Sequence, residues 1–207
     1  ACCERLVRRA GQNGETDVAI AAMDIAPSAA LDTLITHLEQ AGARATALTG
    51  DLADPLTPER AVKEAIDALG GLDTLVSNAG VNAPGKLLDY TVEDWDRLFA
   101  VNTRATWLLG KAAHDALAAA AGSIVIIASM SGSNAHANLG AYAPSKAAVI
   151  MLMRVMAQEF GPDGIRVNSV SPGMVKTGMT RDVYSNNGVA QARADLVPLA
   201  RVAEPED

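Results

Sequence analysis

At 207 residues, 49% of them apolar and only 3% aromatic, the chain has the length of one domain whose core is built from Ala, Val, Ile, Leu and Met. Its formal net charge of −7 sets it against nucleic-acid phosphates, and no apolar run approaches the ~20 residues of a membrane span. The only cysteines, Cys2 and Cys3, are adjacent, and the three histidines, His37, His114 and His136, lie far apart, so neither a disulfide framework nor a metal site is expected.

Residues 1–11 ("ACCERLVRRAG") are charged and helical, with no secretory h-region, which points to a cytoplasmic protein of a reducing compartment. Residues 18–24 ("VAIAAMD") are a short apolar run ending in an acid, expected as a buried strand. Leu31, Leu34, Ile35 and Leu38 recur at i, i+3, i+4 and i+7, a helical stripe stopped by Gly42. Residues 43–51 are a weaker strand candidate. Thr57-Pro58 opens the next helix as N-cap and first-turn proline, and Gly70-Gly71 closes it. Residues 72–80 ("LDTLVSNAG") follow as a strand ending in a tight Asn-Ala-Gly turn.

Thr91 and Asp94 make a capping-box pattern, behind which Val92, Trp95, Leu98 and Phe99 stripe a long helix reaching about Ala120. Residues 123–129 ("SIVIIAS") are apolar, as in a parallel strand buried on both faces. A helix from at or just before Pro144 runs to Phe160, and residues 164–173 ("GIRVNSVSPG") form a last strand and a Pro-Gly turn. Strands alternating with helices of this length predict an α/β fold over 1–207 as a single domain, a doubly wound parallel sheet with helices on both faces.

In open parallel sheets, ligands bind beyond the carboxyl ends of the strands. Those ends are Asp24, Asp51, Asn78-Ala79-Gly80, Ser129 and Pro172-Gly173. Each alone fits an ordinary turn; five together exceed what a structural sheet requires. Within "AYAPSKAAV" (141–149), Tyr142 and Lys146 stand at i and i+4, a spacing that suits a solvated helix face as well as a proton donor beside a cation.

These residues resemble the short-chain dehydrogenase/reductases, and the resemblance covers almost the whole chain. Tyr142-x-x-x-Lys146 is that family's YxxxK signature, Ser129 lies thirteen residues upstream where the family has its serine, and Asn102 in "FAVN" stands at its fourth catalytic position. "SNAG" (77–80), "DLAD" (51–54) and "RVNSVSPGMVKT" (166–177) match further blocks in the right order. Ser77 replaces a usual asparagine, and Ile126 and Ala128 depart from a usual "NISS", without removing a member of the Asn-Ser-Tyr-Lys set.

The resemblance implies a Rossmann-like fold and hydride transfer between a nicotinamide cofactor and an alcohol or carbonyl substrate. Tyr142 would be general acid or base, Ser129 would hydrogen-bond the reacting oxygen, and Asn102 would help position a water linked to Lys146. A free phenol has a pKa near ~10, and an ammonium beside it favours the phenolate, which gives Lys146 a role at this spacing. Lys146 would also hold the nicotinamide ribose. Asp24 would accept from the adenosine ribose and repel a 2′-phosphate; no basic residue follows it in "DIAPSAA", so NAD is expected over NADP. Asp51 and Leu52 would flank the adenine, Asn78, Ala79 and Gly80 the adenosine side, and Pro172, Gly173, Val175 and Thr177 the nicotinamide end. His136, Asn138 and a polar lid over roughly 174–197 would line the substrate pocket. A catalytically silent binding or scaffold relative is the alternative, since fold alone does not fix function.

The family's first strand and its glycine-rich turn, TGxxxGxG, have no counterpart here; Gly11 and Gly14 follow the first helix instead of opening it. The chain is therefore expected to be an interior portion of a longer protein, truncated at both ends, and to bind NAD far more weakly than a version with that strand and turn restored. Ala147 to Met153 are apolar in unbroken succession, so the helix bearing Tyr142 has no polar outer face. That face needs a cover, expected from a second copy in a homodimer or homotetramer.

Overall fold

The apolar runs and amphipathic stretches become strands and helices in the expected order. The computed structural model describes Cys3, Val7 and residues 18–207, apart from the side chain of Asn187. Cys3 and Val7 are helical as expected; Cys2, Gly11 and Gly14 lie outside the described residues. Strand β1 spans Ala19–Asp24, helix α1 Ala29–Gln40, β2 Arg44–Thr49, α2 Thr57–Leu69 and β3 Thr74–Ser77. Then come α3 (Val92–Phe99), a π-turn over Ala100–Arg104, and α4 (Ala105–Ala119). Strand β4 (Ser123–Ile127), α5 (Tyr142–Phe160) and β5 (Arg166–Val170) follow, and α6 (Arg181–Tyr184) and α7 (Asn187–Ala194) complete the order.

All pairing is parallel, in two pieces: β1 with β2, and β3–β4–β5. Among the described residues no ladder joins β1 to β3, and only Ala22 of β1 is fully buried. Helices cover both faces. On one, α2, α4 and α5 build the main core, in which Val62, Leu109, Leu117, Val149 and Met156 pack on Ile124, Ile126 and Val167. On the other, Leu38 of α1 packs with Val7 and Ala43. Gly110 brings α4 close to α5, since a Cβ there would overlap the end of Met156.

Local signals held unevenly. Ser28 caps α1, accepting from Leu31 N–H at 3.1 Å, and Gly42 and Gly70 take left-handed φ of 93° and 86° at the ends of α1 and α2. Thr57 is not the N-cap of α2: Leu56 holds that position, and Thr57, 5% exposed, is already helical. Thr91 caps α3 by accepting from Asp94 N–H at 3.0 Å. Half of the capping box is absent, because the Asp94 carboxylate accepts from the Thr91 hydroxyl at 2.9 Å instead of reaching back to backbone.

The expected continuous helix over 91–120 is interrupted by the π-turn. In β4 only Ile124 and Ile126 are buried and the alternate residues are half-buried; the helix on the opposite side, α1, packs on β1 and β2. Residues 78–80 and 171–173 carry no turn and leave their strands extended. Helix α5 starts at Tyr142, two residues before Pro144. The stretch over 174–197 is folded rather than loose: Val175 bridges Ala203, Lys176 pairs with Glu204 at 2.8 Å, and Arg193 of α7 lies 5.3 Å over the Tyr184 ring of α6.

Candidate active site

Because the strands are parallel, Asp24, Asp51, residues 78–80, Ser129 and residues 171–173 leave the sheet pieces at strand carboxyl ends. The helical π-turn then delivers Asn102, 1% exposed, to the same region. Its Oδ1 accepts from Val81 N–H at 2.8 Å, and its Nδ2 donates to Val81 O and to Ser145 Oγ at 3.0 Å each. Ser145, fully buried, donates to Tyr142 O at 2.7 Å, and Thr103 donates to Ser145 O at 3.1 Å. Asn102 thus laces the segment after β3 to the first turn of α5. Ser77, where the family usually has asparagine, shares a buried hydrogen bond of 2.9 Å with Thr106, which donates to Asn102 O at 3.3 Å.

Sequence reasoning missed Ser145 and Thr106 as members of this chain. Their signal is spacing: a hydroxyl at i+3 from Tyr142 and another at i+4 from Asn102, each able to reach a carbonyl one turn back.

Lys146 is 4% exposed, and its Nζ donates to Ile127 O at 2.8 Å. Its ammonium lies 5.9 Å from the centre of the Tyr142 ring. Burial pushes its pKa down from 10.5 to about 8. A Cβ on Gly80 would stand 3.4 Å from Asn102 Oδ1 and 3.5 Å from Lys146 Nζ, so bare backbone lies against both groups. Ser129 caps the turn Met130–Gly132 by accepting from Ser131 N–H at 3.1 Å. That turn seats on α5 only because Gly132 lacks a side chain: a Cβ would come within 2.8 Å of Lys146 O. Pro172 O accepts from Met130 N–H at 3.0 Å, and Gly173 lies beside Met130, so the end of β5 flanks the same turn. Among the described residues the Tyr142 hydroxyl makes no hydrogen bond and Asn82 Oδ1 is buried without a partner.

The other expected residues are more dispersed. Asp24 Oδ1 accepts from Ile25 N–H at 2.7 Å and Oδ2 from the Ser28 hydroxyl at 3.0 Å, which fixes the carboxylate and leaves a lone pair on each oxygen. Asp51 accepts from Ala53 N–H at 2.9 Å and from Arg97 at 3.2 Å; the backbone N–H, with the Arg97 guanidinium, holds its carboxyl below the usual range. The Leu52 side chain, 9% exposed, belongs to the main core. Thr177 closes the turn Gly178–Thr180 through Thr180 and lines a shallow pocket with Lys176, Arg181, Tyr184 and Ser185. His136 and Asn138 are exposed on the loop leading to α5.

A family model described as enoyl-(acyl carrier protein) reductase matches residues 7–207. Over 168 residues the chain is 37% identical to a meso-2,3-butanediol dehydrogenase of Serratia marcescens, covering 79% of this chain and 64% of that protein. It belongs to the short-chain dehydrogenase/reductase family. A solved dehydrogenase/reductase from Sinorhizobium meliloti 1021 superposes with a TM-score of 0.85 at 33% identity, over 91% of this chain and 74% of that one. A 7α-hydroxysteroid dehydrogenase solved with NADH and 7-oxo glycochenodeoxycholic acid gives 0.84 at 28% identity, over 91% and 73%. Other solved relatives hold NAD+ or NADPH. The chain spans about two thirds of the length of the curated relatives it matches. Among the described residues of this short-chain dehydrogenase/reductase, no three side chains of metal-ligand type cluster, and no helix is long and apolar enough to cross a membrane.

Proposed function

We propose that this protein is an NAD(H)-dependent oxidoreductase acting on a small alcohol or carbonyl compound, with Tyr142 as general acid and base. The observation that carries this is the packing of the Ser129 turn and Gly80 against Lys146, one helical turn from a Tyr142 hydroxyl that has no partner among the described residues. The residues fit a nicotinamide cofactor. Gly80 leaves bare backbone against the Lys146 ammonium, and Asp24 ends β1 with a fixed carboxylate. Asp24 would hold the adenosine ribose; Asp51, Asn78, Ala79, Gly80 and the Leu52 main chain would border the adenosine half. Lys146, Pro172, Gly173, Val175 and Thr177 would border the nicotinamide half. When bound, the nicotinamide supplies or accepts the hydride.

Tyr142 gives its phenolic proton to the substrate carbonyl oxygen in reduction, or takes the alcohol proton in oxidation. Ser129 donates a hydrogen bond to that oxygen and fixes its place. Lys146, positively charged beside the ring, favours departure of the phenolic proton, and Asn102 holds the first turn of α5 where both groups meet. A panel of simple alcohols, sugars and hydroxysteroids with NAD, followed by NADH formation, tests the assignment; no turnover with any class contradicts it.

Asp24 decides the cofactor in this proposal. Its carboxylate meets the ribose hydroxyls and would oppose a 2′-phosphate, and Ile25 to Ser28 bring no cation. NAD is expected to be turned over faster than NADP, and Asp24→Ala to narrow or reverse the preference. Faster turnover with NADP in the unmutated enzyme would show that the acid serves another purpose.

Assembly into a homodimer or homotetramer belongs to the same proposal. Met151 and Val155 of α5 are 55% and 43% exposed, and Trp107 of α4 is 47% exposed, an apolar face of the kind a two-fold contact buries. Light scattering at micromolar concentration is expected to return a multiple of the chain mass; a monomer mass removes the interface.

A further inference from the structure

The connection from β3 to α3 is closed on itself by Tyr90. Its hydroxyl donates to Ala83 O, across the turn Leu87–Asp89. The ring edge lies on Gly85, where a Cβ would stand 3.3 Å from Cε2. The same edge meets Gly140, where a Cβ would overlap Cε2, Cζ and the hydroxyl. Gly85 N–H donates to Asn138 O at 3.0 Å, and Gly85 and Leu139 form an isolated parallel bridge. Two glycines on two separate segments thus make room for one aromatic ring.

The second segment ends at the candidate acid. Tyr142 N–H donates to Leu139 O at 3.0 Å, the first bond of α5, and Ala141 between them is fully buried. Upstream, residues 133–138 are exposed. Asn138 and Gly140 take left-handed φ of 63° and 48°, so no regular structure holds this approach to the helix. Few backbone bonds and little burial mark a stretch of low local stability, placed by whatever rigid group it rests on.

We propose that Tyr90 is a positioning residue: its ring, wedged against Gly85 and Gly140, sets the path of residues 138–142 and with it the aim of the Tyr142 hydroxyl. The consequence for catalysis rests on the role proposed above for Tyr142; the wedge itself does not. A half-buried ring on a surface connection contributes little to the main core, so its removal acts locally.

Hydrogen exchange on the whole chain, without added ligand, reads the wedge directly. In Tyr90→Ala, the amides of Gly85 and Tyr142 are expected to exchange at least ~10-fold faster while those in the middle of α5 and β4 are unchanged. Tyr90→Phe keeps the ring and is expected to restore protection. Unchanged exchange at both amides in Tyr90→Ala overturns the proposal, as does acceleration spread evenly over the core. In turnover with the best substrate of the panel above, Tyr90→Ala is expected to lower kcat at least ~10-fold with NAD affinity within about twofold, and Tyr90→Phe to recover most of it. Gly140→Ala also lowers kcat, by less in the Tyr90→Ala background, where the ring it strikes is gone and only the strain of alanine at a φ of 48° remains; equal losses in both backgrounds overturn the proposal. An enzyme without turnover, combined with the expected exchange pattern, leaves the wedge standing and removes the assignment of Tyr142 instead.

Discussion

Tyr142→Phe is expected to lower turnover by at least ~100-fold, the low end of what a positioned acid or base contributes. The substitution keeps the ring, and so its packing beside Lys146 at 5.9 Å, and deletes only the hydroxyl. Among the described residues that hydroxyl has no hydrogen-bond partner, so its loss leaves no protein group unsatisfied and costs the fold little. NAD affinity should stay within about twofold, because the loss falls on the transition state and not on the bound cofactor. Steady-state kinetics beside calorimetric NAD binding separates the two. Turnover within a few-fold of the unmutated enzyme would return Tyr142 to the role of a packing residue.

Lys146→Met carries the second large effect, with opposite signs for activity and stability. Turnover should fall by ~100-fold or more with the ammonium gone from beside Tyr142. Stability at neutral pH should rise. Lys146 is 4% exposed, and among the described residues its ammonium donates one hydrogen bond, to Ile127 O, so the chain holds a charge largely stripped of water. Burial depresses its folded pKa to about 8 from the 10.5 of an exposed lysine. Between those values the unfolded chain binds more protons than the folded one, so stability rises with pH across that window. Below about 8 both states are charged and the full penalty remains.

Methionine has a similar length and no charge, and should relieve on the order of 2 kcal/mol at about pH 7. The gain should shrink as pH climbs above the folded pKa. Thermal unfolding at about pH 7 and about pH 9.5 checks this sign. A variant less stable than the parent at neutral pH would mean that the Ile127 bond outweighs the desolvation. Function and stability then pull apart at one residue, as they do where an active site holds strain or unpaired charge.

Much of the fold and of the candidate site is legible in the sequence. Ser129, Tyr142, Lys146 and Asn102 are candidates through the resemblance of their motifs to the family; the order of strands and helices and the glycines ending α1 and α2 follow from periodicity and punctuation. These are short-range properties that neighbouring residues carry among themselves. The exposed outer face of α5 followed from seven successive apolar residues, since a helix cannot turn all of them to its own sheet.

What the chain's pattern could not decide lies in contacts between distant segments. Asn102 sits in a π-turn because its amide is bound by Val81 and Ser145 from two other elements; periodicity alone shows one unbroken helix. Thr57 passes from cap to buried helical residue, because burial is set by what packs on a residue and not by its own type. The Lys146 charge is the clearest case. A lysine four residues after a tyrosine is ordinary in sequence; only burial under Gly80 and beside Ile127 lowers its pKa. Sequence by itself determined the order of the elements and, through the family's motifs, which residues are candidates for the chemistry. Tertiary structure decided their environment, because desolvation and hydrogen-bond partners come from chain that is far away in sequence.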